Sequence, residues 1–333
     1  MNLEDLKEKH PRTMQVINVS DVKKRKRKYI PGKATFEFKP KKDWYKSIAK
    51  KFYERNPPKD IVWDRIVYKD CIQEMQQLPT NSIDLVVADP PFGIDFSGKE
   101  EIYNRSERNV VDGYVEVPQE EYDAFTNAWI SELPRIMKKT SSAYIFSGWT
   151  NLEIVLAAIR KAELTLINQI IWKYQFGVFT HKKFVTSHYN LLFAVKNPKE
   201  YFFNKIDHYP EDVWDIAREY AIKEQKNGTK LPSAIVKKCI DYGSKPGALV
   251  LDPFMGNGTT AMVAKANYRH FIGFEINSKL KKIIDHNIAS VQPGQDYQSY
   301  RSRYRAWLKK EEGELMKKYP KAYKMWKGTL TEK

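Results

Sequence analysis

The sequence predicts an α/β fold, a mainly parallel sheet covered by helices on both faces, and three observations carry that prediction. Short apolar runs of strand length alternate with longer helical patterns across the middle of the chain. Three motifs, each with an Asp, fall at the ends of such runs, where parallel sheets present their ligands, beyond the carboxyl ends of the strands. The middle of the chain, where these runs and motifs lie, is electrically neutral and both ends are basic, which marks residues 61–290 off from two flanks.

Residues 1–60 carry 18 Lys/Arg against 8 Asp/Glu, and their densest run, Lys23-Lys24-Arg25-Lys26-Arg27-Lys28, precedes Pro31-Gly32 and reads as an arm or loop. Strands are expected at Arg65–Lys69, Ile83–Ala88, Ala143–Phe146, Leu164–Trp172, Tyr189–Val195, Ala248–Leu251 and His270–Phe274. Helices are expected at Cys71–Leu78, Glu121–Lys138, Leu152–Lys161, Ser233–Tyr242, Thr259–Ala266 and Ser278–Ile288. Residues 291–333 close the chain with 11 Lys/Arg against 5 Asp/Glu, interleaving Arg301, Arg303 and Arg305 with Tyr300, Tyr304 and Trp307. That pattern suits phosphate contact and stacking, or a helix packing its aromatics on the body with its charges in water. The expected organisation is therefore a basic extension (1–60), a catalytic body (61–290) and a basic aromatic extension (291–333).

Composition narrows the function. The net charge of +16, placed entirely on the flanks, suits a polyanionic partner such as nucleic acid. No apolar run approaches the ~18 residues of a membrane span, and the charged N-terminus lacks a signal-peptide core, so the expectation is an intracellular, cytoplasmic protein without a membrane partner. Two distant cysteines, Cys71 and Cys239, and six scattered histidines favour neither disulfides nor a metal site.

The first motif is Leu251-Asp252-Pro253-Phe254-Met255-Gly256-Asn257-Gly258-Thr259-Thr260. Gly256 and Gly258 permit a tight turn close to a ligand, and Thr259 opens a helix whose amides can face it. Glu275, 23 residues beyond Asp252, ends the next strand at the distance where an acid grips ribose hydroxyls. The second motif, Asp89-Pro90-Pro91-Phe92, follows Ile83–Ala88. Asp89 and the Pro90 carbonyl can accept the N–H bonds of an exocyclic amine, and Phe92 can stack on a base swung out of its duplex. The third is Tyr68-Lys69-Asp70-Cys71, in which Asp70 either receives an adenine amino group or caps the helix that follows.

Together these residues resemble the DNA amino-methyltransferases of the N4-cytosine/N6-adenine family, from about Ile66 to Ile288, in the "beta" order that places Asp-Pro-Pro-Phe before the glycine-rich motif. The resemblance implies a seven-stranded, mostly parallel sheet of the S-adenosylmethionine-dependent, Rossmann-like methyltransferase type, with one antiparallel strand. It implies S-adenosyl-L-methionine as cofactor, held by Asp252, Phe254, Gly256, Gly258 and Thr259, with Glu275 on the ribose and Asp70 and Cys71 beside the adenine. Thr229-Lys230-Leu231-Pro232 is similar to the segment whose helix start contacts the methionine carboxylate, one residue shorter here, so that Lys230 is the firmer assignment. Asp89, Pro90, Pro91 and Phe92 are the implied catalytic residues, and Asp rather than Ser at 89 points to adenine, with cytosine N4 as runner-up.

Double-stranded DNA is the implied substrate, methylated by base flipping and direct in-line transfer; a homodimer and a cognate restriction endonuclease are further partner expectations. An RNA base methyltransferase and an inactive nucleic-acid-binding module are the rival readings. Ser147-Gly148-Trp149 either lines the base pocket or is a plain strand-end turn, and Phe184–Lys196 is similar to the antiparallel hairpin that ends the catalytic half. The polar stretch between Asp95 and Pro118, with Lys99, Asn104, Arg105, Arg108 and Asn109, is expected to close over DNA or to be a solvated loop. Residues 198–228 are expected to serve as a short target-recognition segment.

Overall fold

A run of apolar residues forms a strand where both faces find helices to cover them, and the run Ile83–Ala88 shows this alternation most plainly. In a computed structural model of the chain, Val86 and Ala88 enter one hydrophobic core while Leu85 and Val87 enter another on the opposite face of the same sheet. The structure describes residues 15–16, 36–37, 44–54, 61–93, 116–174, 181–182, 184–207, 209–219 and 231–298. The chain divides into two units, Lys50–Gln298 and Met1–Ala49 with Ser299–Lys333. Of the second unit, the described parts are a two-residue antiparallel strand pair, Gln15–Val16 with Phe36–Glu37, and the beginning of helix α1 (Trp44–Tyr53).

The larger unit holds strands β1 (Arg65–Val67), β2 (Ile83–Ala88), β3 (Met137–Ser147), β4 (Thr165–Lys173), β5 (His188–Val195), β6 (Val213–Asp215), β7 (Leu249–Asp252) and β8 (His270–Phe274). Its helices are α2 (Cys71–Gln77), α3 (Tyr122–Ile130), α4 (Leu133–Ile136), α5 (Leu152–Lys161), α6 (Ser233–Gly243), α7 (Thr259–Ala266) and α8 (Lys281–Ala289). The strands form one sheet in the order β1-β8-β7-β2-β3-β5-β4-β6. Every neighbouring pair is parallel except the two made by β5, which runs antiparallel to β3 and to β4. Helices α2, α3 and α5 pack on one face, and α6, α7 and α8 on the other. The fold is therefore the three-layer α/β sandwich expected, with its single antiparallel strand.

Four elements depart from expectation, each for a local reason. The sheet has eight strands rather than seven: β6 adds an edge, anchored by the buried Trp214 between exposed Val213 and Asp215. The helix expected over Glu121–Lys138 stops at Ile130, because Pro134 has no N–H to bond the Ile130 carbonyl and its ring would collide with that turn. Met137 and Lys138 then begin β3, where Met137 pairs with Ile83 before a bulge that resumes at Leu85 opposite Ser142. Lys138 sits on that irregular stretch and is paired with Asp84 (2.7 Å). Lastly, Ser278–Leu280 is a 3-10 turn preceding α8, capped by the Asn277 side chain, which accepts from the Lys279 amide.

The order of the strands fixes where a ligand can lie. From β2 the chain moves on to its neighbour β3, whereas from β7 it moves the opposite way, to β8. Connections leaving adjacent strands in opposite directions open a crevice at their carboxyl ends.

Candidate active site

Four adjacent strands, β1, β8, β7 and β2, each deliver a carboxylate to the carboxyl edge of the sheet: Asp70, Glu275, Asp252 and Asp89 in that spatial order. Register brings the neighbours level. Gly273 pairs with Asp252, Phe274 with Val67, and Val86 with Leu251. Residues that are up to 205 positions apart in sequence thereby share one rim.

Asp252 is 5% exposed. Its Oδ1 accepts from the Phe254 amide (3.0 Å), which shapes the turn leaving β7. Burial raises its pKa from 3.8 to about 7; the Thr260 hydroxyl and Phe254 amide oppose that rise, and the charges of Asp89 and Glu275 add to it. Because both of those charges act on Asp252, the tips of β2, β7 and β8 share one electrostatic neighbourhood. Glu275 is held by amides: Gly256 donates to Oε2 (2.7 Å) and Asn277 to Oε1 (2.8 Å). Burial also raises the Glu275 carboxyl, against the lowering effect of those amides.

The glycine-bearing turn owes its course to Gly258, which caps α7 at φ +79°. A side chain there would be strained and would press on Ile284 at 3.0 Å. Above Gly256 the space is open, and a Cβ would meet nothing nearer than the Phe254 carbonyl at 3.8 Å. Thr259 is the first residue of α7 and is buried, as is Thr260. Asp70 takes the capping role: its Oδ1 accepts from the Ile72 and Gln73 amides (both 3.0 Å) at the start of α2. Cys71 behind it is buried, which pushes its thiol up to about 12 and keeps it neutral. Lys230 and Thr229 lie outside the described residues, as do the Lys99–Asn109 stretch, the Lys23–Lys28 run and the C-terminal Arg/Tyr segment from Tyr300 onward.

On the other side of the crevice, Asp89 and Pro91 are half-buried, Pro90 is buried, and the Phe92 ring leans on Tyr189 of β5 (5.5 Å between centroids). Gly148, after β3, lies against the Phe92 ring, while Trp149 beside it is 55% exposed. Phe254 leans on the opposite core, against Trp129 (5.2 Å) and Phe125 (5.9 Å) of α3. Helix α3 serves both loops, since its Tyr122 ring also fills the space over Gly93, at the end of the Asp-Pro-Pro-Phe corner. Gly93 adopts φ +63°, and a Cβ there would overlap that ring.

One residue that holds this corner was not singled out by sequence. Asn151, 5% exposed, stands at the N-cap of α5 yet makes no capping bond. Its amide instead donates to the carbonyls of Phe92 (2.7 Å) and Gly93 (3.3 Å), and its oxygen accepts from Gln119 (3.0 Å). Glu116 completes the clamp by accepting from the Gly93 amide (2.9 Å). An Asn just before a helix reads as a cap, so nothing local signals the longer reach.

Residues 83–286 match the DNA methylase family of N6 and N4 enzymes. The chain belongs to that family. It is 30% identical over 247 residues to the type II methyltransferase M.HinfI of Haemophilus influenzae, covering 68% of this chain and 69% of the relative. It is 34% identical over 252 residues to the DNA adenine methyltransferase YhdJ of Escherichia coli K12, covering 66% and 80%. Among solved structures, M1.HpyAVI in complex with SAM shares the fold, with a TM-score of 0.51 at 19% identity over 67% of this chain and 98% of that one. This DNA methyltransferase thus carries its two family motifs on neighbouring strand tips. Among the described residues, no helix is long and apolar enough to cross a membrane.

Proposed function

We infer that this methyltransferase transfers a methyl group from S-adenosylmethionine to N6 of adenine in double-stranded DNA. The observation that carries the reading is the adjacency of β2 and β7 at the point where the sheet's connections diverge, with Asp89 close enough to Asp252 to affect its ionisation. The cofactor fits the residues present. The room over Gly256 admits a ligand against the backbone, and a rim whose acids include Glu275, Asp252 and Asp89 favours a cation. In this assignment Glu275 holds the ribose and Asp252, Phe254, Gly256, Gly258 and Thr259 form the loop beneath the donor. Cys71 lends an apolar wall beside the adenine, and Asp70 acts there through its cap of α2.

When bound, the sulfonium supplies an electrophilic methyl. The chain's own contribution is to present the nucleophile. Asp89 and the Pro90 carbonyl accept the two N–H bonds of the adenine amine, drawing its lone pair out of the ring plane, while Phe92 stacks on the base. Pro90 and Pro91 keep that corner stiff, and Asn151 fixes the carbonyls that follow it. Asp at position 89 and the adenine specificity named for the Escherichia coli relative both support N6 over N4. Methylation-aware long-read sequencing of DNA from cells expressing the protein tests this. N6-methyladenine in a defined sequence context is expected, N4-methylcytosine would move the assignment to cytosine, and absence of any modified base would overturn it.

A further inference from the structure

The edge strand β6 brings an arginine to the same end of the sheet as the catalytic corner. Trp172 and Lys173 end β4, Tyr174 follows them, and Tyr189 lies near the start of antiparallel β5, so all three rings stand on the carboxyl edge. Their centroids are 5.5–5.6 Å apart, and they form a continuous aromatic tray. Arg218 lies on it, its guanidinium carbon 4.1 Å from the Tyr174 centroid, 5.4 Å from Tyr189 and 6.0 Å from Trp172. Tyr189 is shared, because its other neighbour is Phe92 at 5.5 Å. The chain is guided there by β6: Trp172 donates its indole N–H to the Ile216 carbonyl (2.8 Å), and the Ile216 amide donates to Lys173 (3.2 Å).

Among the described residues the guanidinium on this tray forms no ion pair, and the acids beside it in sequence are bonded elsewhere. Asp215 is paired with Lys173 (3.0 Å), and Glu219 accepts from the Ser233 amide (2.8 Å) and hydroxyl (3.2 Å). The Arg218 Nε is buried and without a hydrogen-bond partner among the described residues. Burying a guanidinium N–H without a partner is costly, and a structural role alone would be served as well by an apolar side chain on the same rings. A planar fork stacked on an aromatic ring is a geometry that presents paired donors to paired acceptors.

We propose that Arg218 is a DNA-contacting residue that engages paired acceptor atoms, phosphate oxygens or the O6/N7 edge of a guanine, on the nucleotides flanking the flipped base. The proposal rests on the chain's acting on DNA. It gives the short segment before α6 a specific role, with the aromatic tray as the platform that holds the fork beside Phe92.

The test compares wild-type protein with Arg218→Ala and Arg218→Lys on PCR-amplified, unmethylated bacterial genomic DNA with labelled S-adenosylmethionine. The readouts are KM for DNA, kcat, the sequence profile of methylated sites, the salt dependence of binding, and thermal melting. The Ala variant is expected to raise the KM for DNA roughly ten- to a hundredfold, with an unchanged affinity for the cofactor. A guanine contact relaxes one position of the sequence profile in both variants. A phosphate contact weakens all sites evenly, lowers the salt slope by about one in Arg218→Ala, and is largely rescued in Arg218→Lys. Wild-type KM, profile and salt slope in Arg218→Ala, with or without a fall in melting temperature, would overturn the proposal. A wild-type protein that neither binds nor methylates this DNA would instead overturn the functional reading beneath it.

Discussion

Replacing Asp252 by Asn probes the electrostatics of the carboxylate rim, because the substitution keeps the side chain's shape and an oxygen that can accept from Phe254 while removing the charge. In the folded chain the Asp252 carboxyl titrates near 7 rather than 3.8. A shift of roughly three units, at ~1.4 kcal/mol each, amounts to a few kcal/mol, on the order of 4. The group is 5% exposed, so little of this is screened away. The sign follows from proton binding. Between about pH 4 and pH 7 the folded state holds a proton that the unfolded chain has released, so stability falls as pH rises through that window and levels off above it. Asp252→Asn has no such loss. Urea melts of the cofactor-free protein should therefore show the variant gaining on wild type by about 3–4 kcal/mol between pH 4.5 and pH 8. The same substitution should weaken binding of S-adenosylmethionine, whose positive charge it no longer complements. A stability difference between variant and wild type that is the same at both pH values would mean that Asp252 does not titrate in this window.

Asp89→Ala should abolish methyl transfer while largely sparing cofactor binding, as read by a labelled-methyl assay beside calorimetry. Asn151→Ala removes the bonds that fix the Phe92 and Gly93 carbonyls, so kcat should fall roughly ten- to a hundredfold with the KM for cofactor unaltered. Gly258→Ala forces a φ of +79° on a residue with a Cβ and crowds Ile284, which should cost about 1–3 kcal/mol in a denaturant melt. Trp214→Ala should cost about 3–5 kcal/mol by emptying the anchor of β6, and hydrogen exchange should show that strand losing protection first.

The strand tips were legible in the sequence because the physics there is local. An apolar run that ends on Asp-Pro can hardly continue as a strand, and Ile83–Ala88, which runs into Asp89-Pro90, forms as expected; His270–Phe274, which ends on Glu275, forms as expected too. Thr259–Ala266 and Leu152–Lys161 were likewise legible from their periodicity and their flanking residues. Where the signal was not local, the reading failed. The stop at Ile130 depends on a proline four residues downstream, inside a pattern that otherwise continues as helix. Strand β6 has three residues and a single buried one, too few to register a period; only pairing with β4 and the Trp214 contacts make it a strand. Asn151 passes for a cap, and Arg218 for a surface charge, because both act on residues brought near only by the sheet. The Asp70 case went the other way: the capping alternative visible in the sequence is the bond the structure makes.

In the proposed function the tips of β2 and β7 form one site in which an adenine amine meets a donated methyl group. Purified protein incubated with unmethylated duplex DNA and S-adenosylmethionine carrying a deuterated methyl, followed by mass spectrometry of the digested nucleosides, tests it directly. Trideuteromethyl label is expected on deoxyadenosine N6, and none with Asp89→Ala. Label on another nucleoside, or label on deoxyadenosine that survives loss of the Asp89 carboxylate, would contradict it.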